Sequence, residues 1–424
     1  MSPHALEVLE FGAALGVVAG LAASGLGRAA VEGLRPMSSA ADVRHDLAFV
    51  AEGIALLGGE AGWPMPDLPD LREPLQRLRL EGYGWDGPTL RAGMTLLTAA
   101  RAVRGALLPR RDDVPGLAGL AETLADLPEA IERIDRAVAE DGEVRDSASP
   151  ELARLRREIH GARGRIVRKL TDFAAGLPDQ YQVSDASVSV RDGRYVVPVR
   201  REGRGEVGGI VHGESQTGST LFIEPPVAIE LMNRLRELES AEAREVQRIL
   251  RELTDRLRPY AAELSASLEA LVGLDSIYAR ARYAVRTGGQ PPEVFDAADG
   301  VLQIVGGRHP LLLATGEPVV PFDLRMEDGE RTLVISGPNT GGKTVLLKSI
   351  GLLALLTQSG VVPPLERGTR LPVFTGVFAD IGDEQSIEAS LSTFSAHLKN
   401  LRETLADADS GSLVLIDEIG SGTD

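Results

Sequence analysis

Leu333-Val334-Ile335-Ser336-Gly337-Pro338-Asn339-Thr340-Gly341-Gly342-Lys343-Thr344-Val345-Leu346-Leu347-Lys348 reads as an apolar strand, a glycine-rich loop and the start of a helix. Residues Gly337 to Thr344 match the spacing G-x-x-x-x-G-K-[ST] in the strand-to-helix context that gives this pattern meaning. Each residue type has its own chemical reason. Gly337, Gly341 and Gly342 let the backbone turn so that consecutive N–H groups face an anion with no Cβ in the way. The helix that follows directs the positive end of its dipole at the same point. Lys343 brings a mobile point charge to the β- and γ-phosphates, and the Thr344 hydroxyl is a ligand for Mg2+. Pro338, Asn339 and Thr340 complete the loop. The ligand that fits is a nucleoside triphosphate such as ATP with Mg2+.

A second stretch supports this reading. Leu413-Val414-Leu415-Ile416 is a continuous apolar run, as expected for a strand buried on both faces of a parallel sheet. It ends in Asp417-Glu418, at the carboxyl end of the strand, where ligands of open α/β sheets bind. Asp417 is placed to hold the metal and Glu418 to orient or deprotonate the attacking water. A hydrophobic run ending in two carboxylates is common by itself. Following a phosphate loop in the same chain, it gains meaning.

Composition sets wider bounds. The chain has 424 residues, enough for two or three domains with ample core. It has no cysteine, so disulfide, thiol and Cys-ligated metal chemistry are excluded, which fits a cytoplasmic protein. The apolar stretch from Phe11 to Leu26 is preceded by Glu7 and Glu10, with no basic flank, and is interrupted by small residues. It reads as a buried amphipathic helix and not as a membrane span. The formal charge of −17 argues against a uniformly basic, nucleic-acid-coating surface. Cations are nevertheless concentrated at Arg154, Arg156, Arg157, Arg163, Arg165, Arg168 and Lys169, with Glu158 the one carboxylate between Arg154 and Lys169. A further basic set comprises Arg191, Arg194, Arg200, Arg201 and Arg204. Such patches would neutralise phosphates; the alternative is a solvated face balanced by acidic neighbours in space.

Along the chain the pattern is helical to about Pro150, with a Pro-rich break from Trp63 to Pro69. It then changes to period two. Ser187-Val188-Ser189-Val190-Arg191 and Tyr195-Val196-Val197-Pro198-Val199 flank Asp192-Gly193, a strong hairpin signal. Gly209-Ile210-Val211-His212 and Ser219-Thr220-Leu221-Phe222-Ile223 extend a strand-rich insert. Pro225-Pro226 then opens a helical region to about Arg286, with breaks expected at Pro259 and Gly273. Val246, Ile249, Leu250, Leu253 and Leu257 form its packed stripe.

Gly337 to Thr344, Ser390-Leu391-Ser392-Thr393-Phe394, and Asp417 to Asp424 resemble the three ATPase signatures of the MutS family. Arg308-His309-Pro310-Leu311 is similar to the short motif that family carries ahead of its phosphate loop. The insert segments Gly193 to Val199, Gly209 to His212 and Thr220 to Pro225 resemble one branch, MutSII, the bacterial paralogue without a mismatch-reading domain. Phe222-Ile223-Glu224 has the form of the mismatch-stacking wedge, but it lies in the insert and reads as structural. The resemblance implies a multidomain protein with a mainly α-helical core, lever and clamp. A small β-rich insert and a partial α/β P-loop NTPase domain of ABC-ATPase type complete it. The divisions expected are 1–120 for the first part of the core and lever, 121–225 for the clamp with the insert, 226–295 for the returning lever helices, and 296–424 for the ATPase domain.

The resemblance also implies a homodimer with composite ATPase sites. Ser392 would face the γ-phosphate of the partner's nucleotide, unless it is a plain helix cap. Asn339 would contact the phosphates or the attacking water. The arms would clamp duplex or branched DNA in recombination control; the alternatives are a ribosome- and rRNA-engaging ATPase that splits collided ribosomes, and a structural ABC-type ATPase. The family also implies an endonuclease domain. Because the chain stops within the loop after the metal-binding strand, we expect a fragment with weak or no turnover of its own.

Overall fold

The computed structural model describes residues 2–59, 62–184, 187–297, 301–327, 329–337, 342–381 and 390–417, the first eight of the last segment by backbone only. In chain order the helices are α1 (Pro3–Val8), α2 (Phe11–Ala19), α3 (Gly25–Glu32), α4 (Ala40–Gly58), α5 (Arg72–Leu78), α6 (Gly87–Leu107), α7 (Pro115–Glu122) and α8 (Pro128–Ala137). They continue with α9 (Pro150–Ala175), α10 (Arg204–Val207), α11 (Pro226–Leu257), α12 (Ala261–Thr287), α13 (Pro310–Ala314), α14 (Lys343–Gln358) and α15 (Ser390–Asp407). The chain divides into two compact units. The first is built from Met1–Glu73, Thr95–Asp126 and Ala262–Asp424, the second from Pro74–Met94 and Leu127–Ala261.

The first unit is organised around α14, the helix that opens with Lys343. From Ser349 to Gln358 every residue of α14 is buried. A helix apolar on all sides belongs at the centre of a domain, and α14 packs against α2, α4, α13 and strands on its other side. Leu352, Leu353, Leu355 and Leu356 are each 0–1% exposed, and each burial stabilises by about 1.5–3 kcal/mol. The apolar N-terminal stretch is buried as expected, but as two helices and not one, since α2 ends at Ala19 and Leu26 belongs to α3; Phe11, Ala14, Leu15, Val18 and Ala19 of α2 join the same core as Ile350 and Leu355. Among the described residues no helix is long and apolar enough to cross a membrane.

Two sheets flank this core. One contains β5 (Glu293–Asp296), β6 (Gln303–Gly307), β7 (Phe322–Arg325) and β8 (Arg370–Val373) in the order β5-β8-β6-β7. The other pairs β9 (Val377–Asp380) and β10 (Leu413–Ile416) in parallel, Leu413 opposite Val377 and Ile416 opposite Asp380. Val414 of β10 is 40% exposed, so the expectation of a strand covered on both faces is only partly met. The run Leu333-Val334-Ile335 differs more. It joins no sheet, and Leu333 and Val334 are 48% and 82% exposed. Its sequence has strand character, but no described strand offers it a partner, and backbone pairing rather than side-chain type makes a strand.

The second unit packs α9 and α11 together over a four-stranded antiparallel sheet. Its strands are β1 (Ser189–Arg191), β2 (Arg194–Arg200), β3 (Ile210–Glu214) and β4 (Thr220–Glu224), in the order β1-β2-β4-β3. Leu155, Ile159, Ala162, Ile166 and Leu170 of α9 meet Met232, Leu235 and Leu238 of α11, with Val197, Val199, Leu221 and Ile223 from the sheet. The Asp192-Gly193 turn has φ of 48° and 72° and joins Arg191 to Arg194 as a paired position. Positive φ at both central residues is the type I′ hairpin that this dipeptide favours.

The helical region after Pro226 corrects one expectation. Pro259 sits in a single 3-10 turn, Arg258–Tyr260, between α11 and α12, but Gly273 does not break α12. A glycine weakens a helix by only about 1 kcal/mol. Here Leu268, Leu271, Leu274 and Ile277 around it are buried, and that packing outweighs the cost.

Candidate functional site

The start of α14 and the end of β10 place three of the expected side chains together. Gly342 has φ 79° at the helix start, a left-handed conformation that glycine adopts without strain. Lys343 Nζ donates to the Gly337 carbonyl at 2.9 Å, closing the loop across its ends. Thr344 Oγ1 donates to Asp417 Oδ2 at 2.5 Å. Asp417 is held in turn, because its backbone N–H donates to the Asp380 carbonyl at 2.9 Å and prolongs the β9–β10 pairing by one residue. A hydroxyl and a carboxylate from elements 73 residues apart thus converge. This hard oxygen pair beside a lysine fits Mg2+ with a phosphate ligand. A cleft of about 620 Å3 adjoins the group, lined by Leu333, Ile335, Lys343, Leu347, Leu415 and Asp417 among others. Its size lies in the range of small-molecule sites.

Pro338, Asn339, Thr340, Gly341 and Glu418 lie outside the described residues, as does the Ser392 side chain. The backbone of Ser392 lies in the first turn of α15. His309 of the short motif before the glycine-rich loop caps α13, its Nδ1 accepting from the Leu312 N–H at 3.4 Å with Pro310 next in the helix. Burial lowers its pKa from the ordinary value, with Glu10 opposing and Lys348 adding to the shift.

Sequence reasoning missed the groups that hold the far end of α14. Gln358 is 1% exposed. Its amide donates to the carbonyls of Met37 at 2.7 Å and Phe374 at 2.9 Å and accepts from the Phe374 N–H at 3.0 Å. Arg280 of α12, 4% exposed, donates to Asp46 Oδ2 at 2.5 Å and to the Gly360 carbonyl at 3.1 Å. Lys348 also pairs with Glu10 at 3.1 Å. These partners are remote in sequence, so no local pattern announces them.

In the second unit the expected nucleic-acid cations of α9 fall into two classes. Arg154 is paired with Glu151 and Glu158. Arg156 is paired with Asp146 and Glu242, and Arg163 with Glu239. For these three the acidic-neighbour alternative holds. Among the described residues Arg157 donates only to the Ala153 carbonyl of its own helix. It and Arg165, Arg168 and Lys169 are exposed and make no ion pair with a described residue. Glu224 of the Phe222-Ile223-Glu224 triplet is 1% exposed and bonded to Arg194 at 3.0 Å and His212 at 2.8 Å. The triplet is therefore part of the interior, as expected. Arg191 stacks on the Phe222 ring at 4.3 Å.

Residues 333–424 match the model of MutS domain V. Over its whole length the chain is 52% identical to a protein named Endonuclease MutS2 from Gemmatimonas aurantiaca, of which it covers 52%. It is 43% identical to a protein of the same name from Pelotomaculum thermopropionicum, covering 53% of it. A third such protein, from Geobacillus, is 40% identical and 54% covered. The chain spans about half the length of the curated relatives it matches.

Proposed function

The chain belongs to the MutS family, on its MutS2 branch, and from that premise we propose that residues 296–424 bind ATP and Mg2+ and gate a homodimeric clamp on nucleic acid. The observation that carries the reading is the Thr344–Asp417 contact beside Lys343. In this proposal Gly337 to Thr344 cradle the phosphates, Lys343 neutralises them, and Thr344 and Asp417 hold the metal, which supplies charge neutralisation at the β- and γ-phosphates. Glu418 orients the attacking water, and Ser392 senses the γ-phosphate across the dimer. Such chemistry rests on positioning and electrostatics. The 620 Å3 cleft beside Lys343 offers room for the nucleoside. The relatives carry an endonuclease name; nuclease action and its DNA substrate belong to the proposal for the whole protein, of which this chain corresponds to about half.

The test is a titration with a fluorescent ATP analogue, with and without Mg2+. Lys343→Ala should weaken binding at least about tenfold, the worth of one charge-assisted contact of about 1.5–3 kcal/mol. Asp417→Asn should keep metal-free binding and lose most of the gain given by Mg2+. Unchanged affinity in both variants would refute the assignment. Sedimentation with and without a nonhydrolysable analogue tests the dimer, which should form with nucleotide.

A further inference from the structure

Helices α1 (Pro3–Val8) and α2 (Phe11–Ala19) are joined by Leu9 and Glu10, and both residues address the helix that opens with Lys343. A Cβ on Gly351 of α14 would come within 2.7 Å of Leu9 Cδ1 and within 2.7 Å of Leu415 Cδ1 from β10. All three residues are buried. Gly351 has no positive φ, so close approach and not backbone conformation calls for glycine there. Glu10, the next residue after Leu9, places a carboxylate oxygen 3.1 Å from Lys348 Nζ. Two consecutive residues thus grip two consecutive turns of α14.

These contacts share a face with the hydroxyl assigned to the metal. At 3.6 residues per turn Thr344, Lys348 and Gly351 fall within about 60° of arc. Thr344 meets Asp417 just beyond the end of β10, and Gly351 meets Leu415 of the same strand two residues earlier. Lys348 lies between them. The backbone of Glu10 is a second, independent observation. Its φ and ψ are 54° and 35°, and it is one of two non-glycine residues with positive φ among the described residues. A left-handed backbone costs a glutamate more than a half-exposed ion pair returns, whereas glycine adopts it without strain. The Glu10 side chain caps no N–H of α2. Fold stability therefore favours glycine here, and what glutamate adds is its reach to Lys348. Strain of this kind, imposed by the surroundings, marks functional positions.

We propose that Glu10 is a positioning residue for the Mg2+ site. It acts through Lys348 to set the register of α14 on β10, and with it the separation of Thr344 from Asp417; Leu9 against Gly351 is the pivot. The inference rests on the ATP and Mg2+ reading above and adds to that site a residue 338 positions before Lys348. Mg2+ demands a near-octahedral set of oxygens at about 2.0–2.1 Å. A slight slide of α14 along β10 therefore costs metal affinity, while the glycine-rich loop and Lys343 can still hold phosphates.

The experiment compares the dissociation constant of a fluorescent ATP analogue without and with Mg2+ in the full 424-residue chain, beside thermal melts. In Glu10→Gly the gain given by Mg2+ should fall at least about threefold, the size of effect expected where a remote residue modulates coupling. Its metal-free affinity should stay within about twofold of the parent, and its melting temperature at or above the parent's, because glycine relieves the backbone. Glu10→Lys and Lys348→Glu should each lower the gain. Combined, they rebuild the pair with its charges exchanged and should recover most of it, which a merely structural role does not predict. A Glu10→Gly chain with the parental gain, or an exchange that recovers nothing, overturns the proposal. A parent chain that binds the analogue no better with Mg2+ overturns the metal reading and the proposal with it, and that failure shows before any substitution is made.

Discussion

Asp275→Ala tests whether α12 organises the N-terminal helices of the first unit. Asp275 is fully buried. One carboxylate oxygen accepts the Ala23 N–H at 2.8 Å. The other accepts the Ser24 N–H at 2.9 Å and the Ser24 hydroxyl at 2.6 Å. Ser24 Oγ in turn accepts the Gly27 N–H at 3.0 Å, capping α3. Alanine leaves three donors without an acceptor, and each orphaned buried donor costs about 1–3 kcal/mol. Relief from burying a carboxylate offsets part of this, so the net loss should be about 3–5 kcal/mol, as when one member of a buried charged set is removed. Ser24→Ala removes only the cap and one donor and should cost about 1–2 kcal/mol. The double variant should show a coupling of about 0.5–3 kcal/mol. Of the two tryptophans, Trp63 lies in the first unit and Trp85 in the second. Urea unfolding in a Trp85→Phe background, read by Trp63 fluorescence, therefore follows the right unit. A loss under about 1 kcal/mol for Asp275→Ala, or additive single effects, would refute the reasoning.

Three further outcomes follow from the geometry. Gly360 has φ 69°, and a Cβ there would come within 1.8 Å of Asp46 Oδ2 and 2.5 Å of Arg280 Nη1; Gly360→Ala should cost about 2–4 kcal/mol in thermal melts, from left-handed strain plus the displaced ion pair. Burial disfavours the charged form of His309. Its pKa is lower in the fold than in the unfolded chain, so its contribution is present above about pH 6.5 and is lost as the pH falls through the depressed value. His309→Asn keeps a capping acceptor and should remove that acid sensitivity from the melting temperature. The Glu245 carboxyl is lowered to about 2, first by Arg248 and then by Ser149, whose hydroxyl donates to it at 2.7 Å. That stabilisation is present above about pH 4.5 and is lost toward pH 2. The margin of the parent over Glu245→Gln should therefore shrink over that interval.

Local chemistry made the helix after the glycine-rich loop, the Asp192-Gly193 hairpin and the stripe of α11 legible in the sequence. Gly342 at positive φ, Asp192 and Gly193 at positive φ, and buried Ile249, Leu250 and Leu257 are all properties of short windows. The long-range features were not legible. Asp275 finds Ser24 across 251 residues and Arg280 finds Asp46 across 234; no periodicity connects such positions. The α9 arginines show the same limit. Seven cations in one helix look alike in sequence, and the engaged are separated from the available by Glu151 and Glu158 beside Arg154 and by Asp146, Glu239 and Glu242 beside Arg156 and Arg163. Leu333 to Ile335 marks the opposite failure, strand-forming side chains without a described strand beside them.

The first unit is assembled from three separated stretches of chain, and this bears on how it is made. Helix α2 is synthesised before α14, yet its apolar face is covered by that helix, more than three hundred residues later. At about 5–20 residues per second of synthesis, that face waits roughly 15–70 s for its partner. The second unit, whose two stretches lie entirely before residue 262, can close during the delay. A nascent chain arrested at about residue 300 should thus resist protease in the second unit while the N-terminal helices stay open to cleavage and to chaperones. For this molecule the order of translation is itself a constraint on which domain can become native first.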